Sequence, residues 1–170
     1  MKRSTPQKSN TEPDAECSFA EACQKAYACG LRLLVRREHS ERELRFKLER
    51  RDYRPAVIDE VLSQLVDDGY LSDARFAEVF VRSRHERGTG PLKIRAELRE
   101  RGVDEGLVED AFRELGADWF DAARRQRDRR FGVTPPQDFR ERARQLRFLQ
   151  QRGFSGEQAR AALASAPRYP

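Results

Sequence analysis

The chain repeats itself about every fifty residues, and this limits what it can fold into. Leu44, Leu48, Ile58 and Leu62 recur fifty positions later as Ile94, Leu98, Val108 and Phe112. With a shift of fifty-one, Leu98, Gly102, Val103 and Phe112 recur as Leu149, Gly153, Phe154 and Leu163. A turn stands in register in each copy: Arg51-Asp52-Tyr53, Arg101-Gly102-Val103 and Arg152-Gly153-Phe154. Self-similarity at a fixed period marks a stacked array, in which each unit leans on its neighbour.

The middle copy is the most clearly punctuated. Gly90-Pro91 puts proline at a first helical position, where its missing N–H costs nothing. Ile94 and Leu98, four apart, share a helix face. Gly102 follows as a residue that can take positive φ and close the helix. Asp104 caps the next helix, whose apolar face is Leu107, Val108, Ala111 and Phe112. The outer copies carry capping boxes at Ser40–Glu43 and Ser155–Gln158. Asp52 stands where the other turns have glycine, which predicts slight strain. Leu146 precedes Leu149 by three rather than four, which predicts a slightly rotated helix in the third copy. A first helix is expected over about 15–37, broken near Gly30. Sustained alternation of period two is missing, so no sheet is expected. The predicted fold is all-α: an elongated tandem array of three three-helix repeats. Its bounds are a disordered tail at 1–14, then units at 15–66, 67–116 and 117–170.

Charged residues make up 37% of the chain and hydrophobic ones 38%, which suits a thin core and a heavily charged surface. No apolar run approaches the ~18–20 residues of a membrane span, so a cytoplasmic protein away from membranes is expected. Cys17, Cys23 and Cys29 form no zinc pattern and read as incidental thiols in a reducing compartment. Gly88-Thr89-Gly90 lacks the Lys-Ser/Thr pair and preceding strand of a phosphate cradle and reads as a turn. With no nucleophile–base set and no ligand cluster, the chain reads as a non-enzyme without metal or cofactor.

The net charge is +5, carried mostly by arginine. Arg82, Arg84 and Arg87 end the first helix of the middle unit; Arg84 continues the Phe76–Phe80 row, so its stem is expected to pack while its head reaches out. Lys93, Arg95 and Arg99 decorate the next helix, interleaved with Glu97 and Glu100, and a solvated mixed-charge face explains them well. Arg124, Arg125, Arg127, Arg129 and Arg130 form the densest cluster. From Asp118 to Arg152 there are ten arginines against five acids, an excess equal to the net charge of the whole chain. The helix carrying that cluster is apolar only in its first half, so a polyanion-facing role is expected there.

Beyond these readings, the chain resembles the RecX family, regulators of the bacterial recombinase RecA. The residues that carry the resemblance are Leu33-Leu34-Val35-Arg36-Arg37-Glu38-His39-Ser40, then Asp68-Gly69-Tyr70-Leu71-Ser72-Asp73-Ala74-Arg75-Phe76-Ala77, then Gly88-Thr89-Gly90-Pro91 leading to Arg101-Gly102-Val103. It spans about Ala26 to Leu163, most specifically in the middle unit. The resemblance implies an elongated, curved, non-catalytic monomer. Its partners would be the RecA filament and single-stranded DNA, bound within the filament and weakly alone. It also implies binding in the filament groove, inhibition of strand exchange and ATP hydrolysis, and a place in DNA repair, homologous recombination and the SOS response. The competing reading is a sequence-independent DNA-binding protein acting without RecA, since three-helix units resemble helix-turn-helix modules; a scaffold for another protein partner is the third.

Overall fold

A computed structural model of the protein describes residues 18–164; the tail at 1–14 and Cys17 lie outside them. Among the described residues there are nine helices and no strand: α1 (Phe19–Leu34), α2 (Glu41–Glu49), α3 (Pro55–Asp67), α4 (Asp73–Glu86), α5 (Pro91–Glu100), α6 (Glu105–Leu115), α7 (Trp119–Phe131), α8 (Phe139–Gln151) and α9 (Gly156–Ala164). In each unit the first helix packs chiefly on the third, α1 on α3, α4 on α6 and α7 on α9.

The helix starts follow capping chemistry. Ser18, Ser40, Ser72, Asp104, Asp118 and Asp138 each accept a hydrogen bond from an N–H in the first turn of the helix they precede. The box at Ser155 is reciprocal, with Gln158 Oε1 accepting from Ser155 N. The box at Ser40 is half made: Ser40 caps Glu43 N, but the Glu43 carboxylate turns instead to Arg37 and Arg101. Helix α1 ends at Leu34, short of the expected Arg37, and runs through Gly30 unbroken. A Cβ at Gly30 would lie 2.8 Å from Leu65 Cδ1, so glycine there lets α3 approach.

Each unit has its own core, as a linear array requires. The first holds Leu44, Leu48, Val57, Ile58, Val61, Leu62 and Leu65, and also Leu71, beyond the expected unit boundary at 66. The second is built on Phe76, Val81, Ile94, Leu98, Val108 and Phe112, the third on Ala123, Leu149, Phe154, Ala159 and Leu163. Trp119 packs against both of these. In α8 the buried partner of Leu149 is Gln145, fully enclosed, and not Leu146, which is only half-buried. The helix therefore keeps the spacing of four seen in α2 and α5 and places an amide where they have Leu44 and Ile94.

The three recurring turns share one backbone structure. Tyr53, Val103 and Phe154 N–H groups donate to Leu48, Leu98 and Leu149 carbonyls, and Asp52, Gly102 and Gly153 take positive φ (61°, 75° and 92°). Two of these turns dock a neighbouring unit. Ser40 Oγ donates to Arg101 O (2.9 Å), while Arg101 Nε donates to Glu43 (3.0 Å). Gly90 N donates to Arg152 O (2.8 Å) and Leu92 N to Gly153 O (3.0 Å). A Cβ at Gly153 would stand 2.7 Å from Lys93 N, so this turn needs glycine for close approach as well as for its φ. The N-terminus of α2 thus sits on the C-terminal turn of α5, and that of α5 on the turn of α8. The three second helices run end to end with their dipoles in one sense.

Candidate nucleic-acid interface

The basic residues singled out in the middle unit are largely engaged within the chain. Arg84 places its guanidinium 4.8 Å from the Phe80 ring centroid and pairs with Glu97 at 2.8 Å, so its stem packs and its head is held. Arg101, also 4.8 Å from that ring, pairs with Glu43. Arg84 and Arg87 line a groove at the first junction with Arg37, Glu38, Glu43 and Arg101. Arg95 lies over Phe112 and pairs with Glu109, and Arg99 reaches Glu105 at 3.8 Å. Lys93 is exposed, and its backbone forms the seat for Gly153. Arg82 is exposed and has no ion-pair partner among the described residues. The middle unit therefore presents a balanced surface.

The third unit differs, because the five acids between Asp118 and Arg152 are all engaged while most of the arginines in that stretch are not. Asp118 caps α7. Asp121 holds Arg124 and Arg125, and the hydrogen bond from Arg124 is the chief reason its carboxyl sits below the ordinary carboxylate range. Asp128 pairs with Arg127. Asp138 caps α8, and Glu141 accepts from Gln137 N and Gln145 Nε2. Among the described residues, no carboxylate lies within ion-pair reach of Arg129, Arg130, Arg140, Arg142, Arg144 or Arg147, all of them exposed.

Arg127 corrects the sequence reading. It is 1% exposed, its guanidinium set against the Val133 and Thr134 carbonyls and Asp128. It does not belong to an outward-facing set. Gln126 beside it is also buried, and a Cβ on Gly88 would collide with its amide. The second half of α7, expected to lack a core, therefore packs with polar side chains, and Gly88 serves as the seat of Gln126. His85, also at this boundary, stacks edge-on against Trp119 at 5.1 Å. Burial, then the Arg125 charge, lowers its pKa.

Sequence reasoning placed a helix at α8 but missed its arginine face. Arg140, Arg144 and Arg147 fall at i, i+4 and i+7, one face of a helix, and this spacing was the available signal. They line two adjoining surface clefts with Arg130, Phe131, Phe139 and Phe148. Arg144 lies 5.2 Å from the Phe131 centroid, Phe131 meets Phe148 edge-on at 5.3 Å, and Arg152 lies 5.5 Å from Phe148. Phe139 is 87% exposed. Cations alternating with rings make a surface able to neutralise phosphates and stack on bases. No group of three or more metal-ligating side chains comes together among the described residues, and none of their helices is long and apolar enough to cross a membrane.

Fold and surface together define a tandem three-helix repeat protein with one strongly cationic unit. Residues 26–65, 72–111 and 117–163 match the first, second and third three-helix domains of RecX. The chain is 52% identical over 136 residues to the regulatory protein RecX of Halorhodospira halophila, covering 80% of this chain and 84% of that one. It is 47% identical to that of Chromohalobacter salexigens, covering 80% and 89%. The crystal structure of RecX from Lactobacillus salivarius superposes with a TM-score of 0.70 at 23% identity, over 84% of this chain and 95% of that one. The chain belongs to the RecX family of regulatory proteins.

Proposed function

We propose that this chain is a non-catalytic, cytoplasmic regulator that binds the RecA–DNA filament along its helical groove and lowers strand exchange and ATP hydrolysis. The observation that carries the DNA-facing part is the set of six arginines on α7 and α8 without acid partners, interleaved with Phe131, Phe139 and Phe148. Phosphate contacts of this kind give affinity without reading sequence, and the exposed Phe139 ring favours unpaired bases. An array of units with separate cores suits a partner that is itself extended and repetitive. Family membership favours RecA as that partner over DNA alone. In this reading Arg129, Arg130, Arg140, Arg144 and Arg147 face phosphate. Arg87 lines the first inter-unit groove, where RecA side chains would meet it, beside Arg84, which Glu97 already holds; Arg82 is exposed on the same helix. Arg95, Arg99, Arg124 and Arg125 are secondary because acids already hold them.

The test is RecA ATPase on single-stranded DNA with this protein added well below one per RecA. Inhibition is expected, and Arg140→Glu, Arg144→Glu and Arg147→Glu combined should relieve it with helicity retained. No inhibition even at equal amounts, with naked DNA bound as tightly as filament, would favour a DNA-binding protein acting without RecA.

A further inference from the structure

Of the three equivalent turns, those at Arg101 and Arg152 each carry a helix end from the preceding unit, whereas the turn at Arg51 carries none among the described residues. We propose that the turn face Arg51-Asp52 takes the N-terminal end of α8 from a second copy of the chain, so that copies associate head to tail.

Arg51 is already set as its sister is. Arg51 Nη1 donates to the carbonyl four residues back, Lys47 O, at 2.7 Å, and Arg101 Nη1 does the same to Glu97 O at 2.6 Å. In Arg101 this leaves Nε to receive Glu43 from the neighbouring unit. In Arg51 the corresponding group has no partner among the described residues.

At the other end of the molecule, α8 is the one second helix whose N-terminus meets no turn among the described residues. Its first residue, Phe139, is 87% exposed, whereas Pro91, first in α5, is buried at a filled junction. Glu141 stands three residues after the Asp138 cap, as Glu43 stands three after Ser40. Its carboxylate, which already accepts from Gln137 N and Gln145 Nε2 and has no cation partner among the described residues, is the one Arg51 lacks.

Helix polarity agrees. The open C-terminal end of α2 is the negative dipole end and carries Lys47, Arg50 and Arg51 against Glu49 and Asp52; the open N-terminal end of α8 is the positive dipole end and carries Asp138 and Glu141 beside Arg140 and Arg142, so the match is one of helix dipoles and of the Arg51–Glu141 pair. Helix α8 has 13 residues against 10 in α5, so its end reaches about 4.5 Å further. The contact is heterologous and open-ended. Being small, it is weak in free solution and strengthens when copies lie side by side on one extended partner. It departs from the monomer expected from the sequence, and it holds whatever that partner is.

The experiment is sedimentation equilibrium of the full chain from about 10 μM to about 1 mM, the range where weak contacts register. The weight-average mass is expected to climb with concentration past two copies. Arg51→Glu and Glu141→Lys should each hold it near one copy, and an equimolar mixture of the two should restore the climb, because each reversed charge meets the other. Circular dichroism checks that each variant is folded. Phe139→Asp, at an exposed side chain, replaces the Glu141 variant if that one loses helicity. A single-copy mass throughout, growth that stops at two copies, or growth that both reversals leave intact would overturn the proposal.

Discussion

At the scale of single residues, the same amino acid does different work according to what lies against it. Gly69 and Gly153 both have positive φ, but a Cβ on Gly69 meets open space while one on Gly153 meets the Lys93 backbone. Gly69→Ala is expected to cost about 1 kcal/mol from φ alone, and Gly153→Ala about 3 kcal/mol once the collision is added; urea unfolding measures both. Equal costs would mean that the second junction yields freely. Arginine divides in the same way. Arg127→Ala removes the buried guanidinium beside Asp128 and two carbonyls, and should cost about 2 kcal/mol. Arg144→Ala should leave stability unchanged and weaken filament binding. The burial of Arg127 was present in the sequence, four residues after Ala123 on the same face. The density of arginine around it pointed outward, and composition says nothing about facing.

At the scale of elements, helices and caps were legible because their causes are local: a proline start, a capping side chain, a glycine after the last turn. The register of α8 was not legible. Leu146 looked like the core residue because it is apolar, yet Gln145 holds that place. Its Nε2 donates to Glu141 while its Oε1 is buried without a partner. Gln145→Leu, which restores the residue type of the sister helices, should stabilise the protein by about 1 kcal/mol, read as a rise in thermal midpoint. A fall would show that the Glu141 contact outweighs the unpaired oxygen. The face carrying Arg140, Arg144 and Arg147 also went unread, because each residue stands apart in sequence and only the helix gathers them.

At the scale of the whole molecule, the repeated turn carries a meaning that no single unit shows. Its arginine and glycine recur because they seat the preceding unit, through a guanidinium and carbonyls at the first junction and through backbone contact at the second. The period revealed that units stack; which turn touches which helix end needed coordinates, since contacts 61 residues apart leave no local trace. Charge follows the same logic: acids engage many of the arginines of the first two units, and the third is left the more cationic. The central claim, that this third unit meets phosphate, is tested most directly by the salt dependence of binding to RecA filaments on single-stranded DNA. Arg140→Ala, Arg144→Ala and Arg147→Ala combined should reduce the slope of log affinity against log salt by about 2, from about 0.7 for each phosphate that is no longer neutralised. A slope that does not change would contradict the account and move the phosphate-binding surface elsewhere on the molecule.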